Sequence, residues 1–244
     1  MISSWSYSRL TDFEKCHFLA WLKYDQKIPE PERPLPPGKS EHANDRGTRI
    51  HDACEMYVSG QTDELAPEAA LYFGPQLDLL RHLYTEGAVS LEGEWGMNED
   101  WSISEWSQAW LRLKLDACVF LGEDEAVVID YKTGRKFGNE IKHAEQLQLY
   151  QLVTFLRYPK LNRVTAELWY LDQPEQDNVS SMTFTRAQGL RFRPSFHKRG
   201  AAMTSCEDWK PNPSIYTCQY CQYGPWNGGQ CQSGVRPPSG KRKK

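Results

Sequence analysis

Apolar residues recur near helical spacing over 8–24, at Leu10, Phe13, Trp21 and Leu22, with Ser8 or Thr11 placed to cap the helix and Cys16 in its middle. Pro29, Pro31, Pro34, Pro36 and Pro37 then forbid regular structure up to about Gly38, so this stretch reads as an extended linker or surface crossing. A second helix is predicted over 44–59, with Ile50, Ala53, Cys54 and Tyr57 as its apolar stripe, and a third over 67–84 carrying Leu71, Leu77, Leu80 and Leu83.

The period then changes. Short strands are predicted over 88–97 and 100–107. Leu111, Leu113, Leu115, Ala117 and Val119 alternate with Arg112, Lys114, Asp116 and Cys118, the period of a half-buried strand. A turn at 122–125 leads into a buried strand over 126–131. A long helix follows over 143–157, then strands over 163–171 and 178–185 and a helical stretch over 187–205. No internal repeat is visible. This order predicts an α/β fold: a mixed sheet with helices packed on it.

Composition narrows the class. The 244 residues suit one domain or one domain with an appendage, and 12% aromatic content with a net charge of −3 excludes disorder as the main state. That charge also excludes a global basic field, so any nucleic-acid site must be local. Seven cysteines, no signal-like amino terminus and no long apolar run point to a reducing cytoplasm without membrane insertion, where clustered cysteines more often bind metal than pair.

The stretch 113–132 carries the most chemistry. A short turn makes its two strands antiparallel neighbours, which sets Asp116 beside Asp130. Facing carboxylates repel unless a cation lies between them, and a divalent ion is the usual solution. Asp130 and Lys132, two apart, share a strand face. His51 and Glu55 stand at i and i+4 on one helix, and Gln146 and Tyr150 repeat that spacing on another. Gly47, one turn before His51, leaves room for a close approach. Taken singly, each has a plain structural reading, such as a strand leading into a turn or a satisfied helix histidine; together those readings must be invoked four times.

In this order the residues resemble the PD-(D/E)XK nuclease superfamily, specifically its RecB-like exonuclease branch, of the CRISPR-associated and phage exonuclease type. The matching segments are Ser6-Tyr7-Ser8-Arg9-Leu10 leading to Cys16, Arg46-Gly47-Thr48-Arg49-Ile50-His51 with Glu55, Leu115-Asp116, Val128-Ile129-Asp130-Tyr131-Lys132-Thr133-Gly134, and Gln146-Leu147-Gln148-Leu149-Tyr150. The resemblance implies a restriction-endonuclease-like mixed sheet flanked by helices. It implies that His51, Asp116, Asp130 and the Tyr131 backbone carbonyl bind one or two Mg²⁺ or Mn²⁺ ions, with Asp116, Asp130 and Lys132 catalytic. Gln146 and Tyr150 become supporting or DNA-contacting residues, as do Glu55, Glu94, Arg135 and Lys136. The expected organisation is a nuclease domain over 1–205, a cysteine segment over 206–234 and a basic, disordered tail over 235–244.

Cys218-Gln219-Tyr220-Cys221 followed by Cys231 supplies three thiols around a glycine-rich loop. A fourth ligand could be Cys16 or Cys206, with His197 and His17 as weaker candidates, and four thiolates suit Zn²⁺ or an iron–sulfur cluster equally. The resemblance implies a 4Fe–4S cluster on Cys16, Cys218, Cys221 and Cys231 that joins the chain ends. Cys54 and Cys118 read as small core residues.

Basic residues cluster after the acidic strand at Lys132, Arg135, Lys136, Lys142 and His143, along the last helical stretch at Arg186, Arg191, Arg193, Lys198 and Arg199, and over 241–244. Trp5 and Trp101, if exposed, could stack on single-stranded bases. The function expected is a metal-dependent DNA exonuclease acting on ends or single strands in recombination or replication, beside recombination or replication proteins. The alternatives are a non-catalytic nucleic-acid-binding module of the same fold and a zinc-ribbon interaction protein.

Overall fold

The structure, a computed structural model, describes residues 1–134, 136, 138, 140–174 and 178–236. Arg135 and the basic run over 241–244 lie outside the described residues. The chain forms two units: Pro36–Phe196, and Met1–Leu35 together with the segment from His197 on.

The first unit holds a six-stranded mixed sheet in the order β2-β1-β3-β4-β5-β6. Its strands are β1 Val89–Met97, β2 Ile103–Ser104, β3 Leu111–Leu121, β4 Glu125–Lys132, β5 Arg163–Tyr170 and β6 Val179–Thr185. The predicted alternation holds along β3, where Leu111, Leu113, Leu115, Ala117 and Val119 are buried. β3 and β4 pair antiparallel through a tight turn at Gly122, whose φ of 74° favours glycine. β4 and β5 are parallel, which requires a crossover, and the helix over Glu140–Arg157 supplies it. That crossover helix buries Leu147, Leu149, Leu152, Val153 and Phe155, so it is apolar around most of its girth.

Within this unit two helices of the described residues precede the sheet in sequence. Numbered in chain order they are α3 Ala43–Val58 and α4 Pro67–Thr85, and the crossover helix is α5. Ile50, Cys54, Val58, Phe73, Leu77 and Leu80 pack with Ala117, Val119, Ile129, Tyr131 and Trp169. Each large side chain buried there contributes about 1.5–3 kcal/mol. Leu71, assigned to the apolar stripe, is instead 69% exposed, because it lies about 200° around the helix from buried Phe73. The strand expected over 100–107 shrinks to Ile103–Ser104 and a 3₁₀ turn at Trp106–Gln108. Asp100 explains the loss: its carboxylate accepts the Ser102 N–H at 2.9 Å and the Ser102 hydroxyl at 2.6 Å, a local turn that competes with strand pairing. The helical stretch expected over 187–205 is two helices, α6 Arg186–Leu190, opened by a capping box at Thr185, and α7 Arg193–Thr204.

In the second unit the single helix expected over 8–24 is broken. α1 Tyr7–Lys15 ends at Cys16, whose extended backbone (φ −164°, ψ 114°) separates it from α2 His17–Ala20 and a π-helical turn at Trp21–Asp25. Ser6, rather than Ser8 or Thr11, caps α1 by accepting the Arg9 N–H. Farther on lie α8 Ile215–Cys218 and a 3₁₀ turn at Pro225–Asn227. Trp5 and Trp101 are both buried, which removes them as exposed stacking platforms; Trp101 packs edge-on against Trp110. No helix among the described residues is long and apolar enough to cross a membrane.

Candidate active site

The β3–β4 ladder ends at Ala117 opposite Ile129, so the next step along brings Asp116 beside Asp130. There the carboxylate takes a backbone donor directly: Tyr131 N–H donates to Asp116 Oδ2 at 2.5 Å. The other oxygen, Oδ1, lies 2.8 Å from His51 Nδ1. Gly47 sits one turn before His51, where a Cβ would stand 3.1 Å from Thr133 Oγ1; glycine thus lets α3 approach the end of β4.

Val127, Ile129 and Tyr131 turn toward α3 and α4, while Asp130 points the other way and meets α5. The Tyr150 hydroxyl donates to Asp130 Oδ1 at 2.6 Å, and Gln146 Nε2 donates to that hydroxyl at 2.5 Å. Asp130 Oδ2 pairs with Lys132 Nζ and is otherwise without a hydrogen-bond partner among the described residues. Ala43, Asn44, Gly47, Thr48, His51, Asp52, Lys114, Asp116 and Thr133 line an open cavity of about 450 Å³.

Burial pushes the Asp116 carboxyl above its ordinary range, and the neighbouring Asp130 charge adds to this against the opposing His51 hydrogen bond. For His51 burial alone would lower the pKa, but the bond to Asp116 and the charges of Asp116 and Asp130 outweigh it and the net shift is upward. Tyr150 is held far above the usual phenol range, first by burial and then by the Asp130 charge, so it stays protonated and remains a donor. Each shift has the same origin: negative charge sealed from water and short of positive partners.

The structure brings His51, Asp116, Asp130, Lys132, Gln146 and Tyr150 together. Glu55 is half-buried one turn beyond His51 and does not line the cavity. Glu94 is exposed on β1, opposite Lys114 in register. Lys136 donates to the Val179 carbonyl at 3.3 Å and lies over the Tyr170 ring. Three arginines of the last basic cluster are engaged within the fold. Arg186 donates to the carbonyls of Tyr158 and Leu161, Arg193 to that of Asp100, and Arg199 pairs with both oxygens of Glu14. Sequence reasoning missed Lys114, Asp52 and Thr133 in the cavity wall. Lys114 was within reach, since it stands two residues from Asp116 on the same face of β3.

The thiols form a second cluster, within the other unit. Cys16, Cys218, Cys221 and Cys231 line one small cavity of about 20 Å³ with Leu19, Leu22 and Tyr223. Cys16 Sγ accepts the Asn212 N–H at 3.3 Å. Burial pushes the Cys221 and Cys231 thiols upward. Cys206 stands apart, its sulfur 3.4 Å from the Asp208 carbonyl and 3.9 Å from His17 Nδ1. Cys54 and Cys118 are buried in the core as expected. In neither cluster are three His, Cys, Asp or Glu side chains already arranged to hold a metal ion, among the described residues.

The fold and the paired carboxylates define a class. A family model of the PD-(D/E)XK nuclease superfamily matches residues 4–226, and the chain belongs to that superfamily. Its members are typically metal-dependent nucleases using Mg²⁺ or Mn²⁺, which supports nuclease activity on nucleic acid in general. No curated protein matches the chain significantly. Among solved structures it is similar to SSO0001, at 15% identity over 96% of this chain and 88% of the other, with a TM-score of 0.41. It is also similar to a candidate exonuclease from Eubacterium rectale, at 12% identity over 86% and 84%, with a TM-score of 0.42.

Proposed function

We propose that this protein is a deoxyribonuclease of the RecB-like branch, an exonuclease that hydrolyses phosphodiester bonds at DNA ends or in single strands. The observation that supports this reading is the electrostatic coupling of His51, Asp116, Asp130 and Lys132, of which His51 and Asp116 line an open cavity. The donor set suits a divalent cation. Two carboxylates and an imidazole are near enough to shift one another, Asp116 is held up by burial, and among the described residues Asp130 Oδ2 has only the Lys132 ammonium as partner. His51, Asp116, Asp130 and the Tyr131 carbonyl would hold one or two ions. When bound, Mg²⁺ or Mn²⁺ polarises the scissile phosphate and lowers the pKa of the attacking water.

The chain's own groups do the rest. Tyr150 fixes the Asp130 carboxylate through one oxygen and leaves the other directed at Lys132. Lys132 Nζ orients the attacking water or balances charge developing on the phosphate. Gln146 holds the Tyr150 hydroxyl in place. The four clustered thiols are soft donors around one cavity, and a 4Fe–4S cluster there is part of the proposal, as is a cytoplasmic role in DNA recombination or replication.

End-labelled single- and double-stranded DNA incubated with Mg²⁺ or Mn²⁺ tests the reading directly. Stepwise shortening by wild type and none by Asp130→Ala is expected; digestion by Asp130→Ala at the wild-type rate would falsify the assignment. Anaerobically purified protein should be brown, and a colourless protein containing zinc would replace the cluster with a zinc site.

A further inference from the structure

We propose that Asp172 is a positioning residue for the cleft, which with Arg46 clamps the loop after Lys132 to the first turns of α3. This rests on the nuclease reading above. Asp172 lies just beyond β5, whose last residue, Tyr170, is paired with Lys132. Its two carboxylate oxygens serve two segments remote from each other in sequence. Oδ1 accepts the Gly134 N–H at 3.1 Å, and Oδ2 accepts from Arg46 Nη1 at 2.9 Å. Two neighbours add to the hold: Leu171 N–H donates to the Lys132 carbonyl at 2.9 Å, and Gln173 Nε2 donates to the Gly134 carbonyl at 3.3 Å.

What the clamp holds gives it meaning. Gly134 has a φ of 127°, a conformation few other residues adopt, and with no Cβ of its own it relies on outside bonds to select one loop shape. It lies two residues from Lys132. Arg46 precedes Gly47, the residue whose missing Cβ admits Thr133, and stands little more than one turn before His51. One carboxylate therefore sets the position of the segment bearing His51 relative to the segment bearing Lys132. Arg46 is braced in turn by Glu68 at 3.7 Å, and Arg49 bridges Glu68 and Glu41 at 2.8 and 2.7 Å. The Asp172 side chain is only 18% exposed, unlike the freely solvated pairs that contribute almost nothing. Catalytic geometry is sensitive to this kind of support, since a misplacement of about 1 Å costs about a hundredfold in rate.

Two measurements test the clamp. With saturating Mn²⁺ and end-labelled DNA, Asp172→Ala should lower kcat about tenfold while KM stays within about twofold and the melting temperature by circular dichroism holds. Asp172→Asn keeps an acceptor for Gly134 and loses the charge facing Arg46, so its loss should be smaller. Arg46→Ala combined with Asp172→Ala should be no slower than Asp172→Ala alone. Unchanged kcat, additive losses, or a raised KM with kcat intact would each overturn the proposal; the last would make Asp172 a wall of the adjoining cavity of about 620 Å³ that touches substrate. The second measurement needs no activity. Amide exchange at 132–134 should speed up in Arg46→Ala, and unchanged exchange there overturns the clamp even if wild type cleaves nothing, an outcome that would by itself condemn only the nuclease reading.

Discussion

The carboxylate cleft and the thiol cavity both gather donors that disfavour one another, but the chain assembles them by opposite means. Asp116 and Asp130 sit on adjacent strands of one sheet, and each is held by groups already fixed by the core: the Tyr131 N–H, His51 on α3 and Tyr150 on α5. The four thiols come from segments two hundred residues apart in number, around Cys16 and around Cys218, Cys221 and Cys231, joined by short helices and turns. Their cavity is small and walled by Leu19, Leu22 and Tyr223. In the cleft, packing holds the donors and an ion would serve chemistry. In the thiol cavity a small apolar cluster of Leu19, Leu22 and Tyr223 packs against the donors, and a bound group would add to folding.

The largest test of this contrast is deletion of a carboxylate. Asp116→Ala or Asp130→Ala should reduce cleavage by at least about a thousandfold, several kcal/mol of transition-state stabilisation. The fold should not suffer. The Asp116 carboxyl is raised, so its charged form is disfavoured in the native state. Any stability it contributes is complete below its ordinary range near pH 3.8 and lost as pH rises through the native value. At neutral pH its removal should leave the melting temperature of metal-free protein no lower, and Mn²⁺, which should raise that temperature in wild type, should not do so in the variant.

The thiol cavity should answer in the reverse sense. Cys218→Ser should lower stability in urea by about 2 kcal/mol or more, while kcat per folded molecule stays near wild type. Loss of activity without loss of stability would erase the distinction between the two regions.

How far each region was legible follows from the same physics. Strand alternation along β3 and the turn at 122–125 depend on local chemistry, and they place Asp116 beside Asp130 from sequence alone. The i, i+4 spacing of Gln146 and Tyr150 likewise put both on one face of α5. Two kinds of feature escaped. The break at Cys16 arises because that residue takes an extended backbone between α1 and α2, while the apolar period runs on through it. Asp172 carries no periodic or motif signal; its partners Gly134 and Arg46 lie far off in sequence, and only the parallel β4–β5 pairing brings them to it. The intramolecular partners of Arg186 and Arg199 are hidden for a related reason, since charge is visible in a sequence while its partner is not.

A smaller change probes how far packing alone holds the cleft. Tyr150→Phe keeps the buried ring and deletes only the hydroxyl between Gln146 and Asp130. A hydrogen bond to a charged group contributes about 1.5–3 kcal/mol, so kcat should fall roughly tenfold or more with KM unchanged. If the variant cleaves at the wild-type rate, Asp130 is placed by its strand and Tyr150 is merely core.

The smallest expected effect separates thiols that fill the core from thiols that line the cavity. Burial pushes Cys54 and Cys118 up to about 12, with the Asp116 charge adding to the shift at Cys54. In the unfolded chain both ionise near 9, so between those values the native state holds protons that the unfolded state has released. Stability must therefore fall as pH rises through that window. At about pH 10 the penalty is roughly 1 kcal/mol for each thiol. The cost of Cys118→Ala, measured from urea midpoints, should accordingly shrink by about that amount between about pH 8 and about pH 10. A cost independent of pH would mean that Cys118 is far more open to water than its packing in the sheet requires.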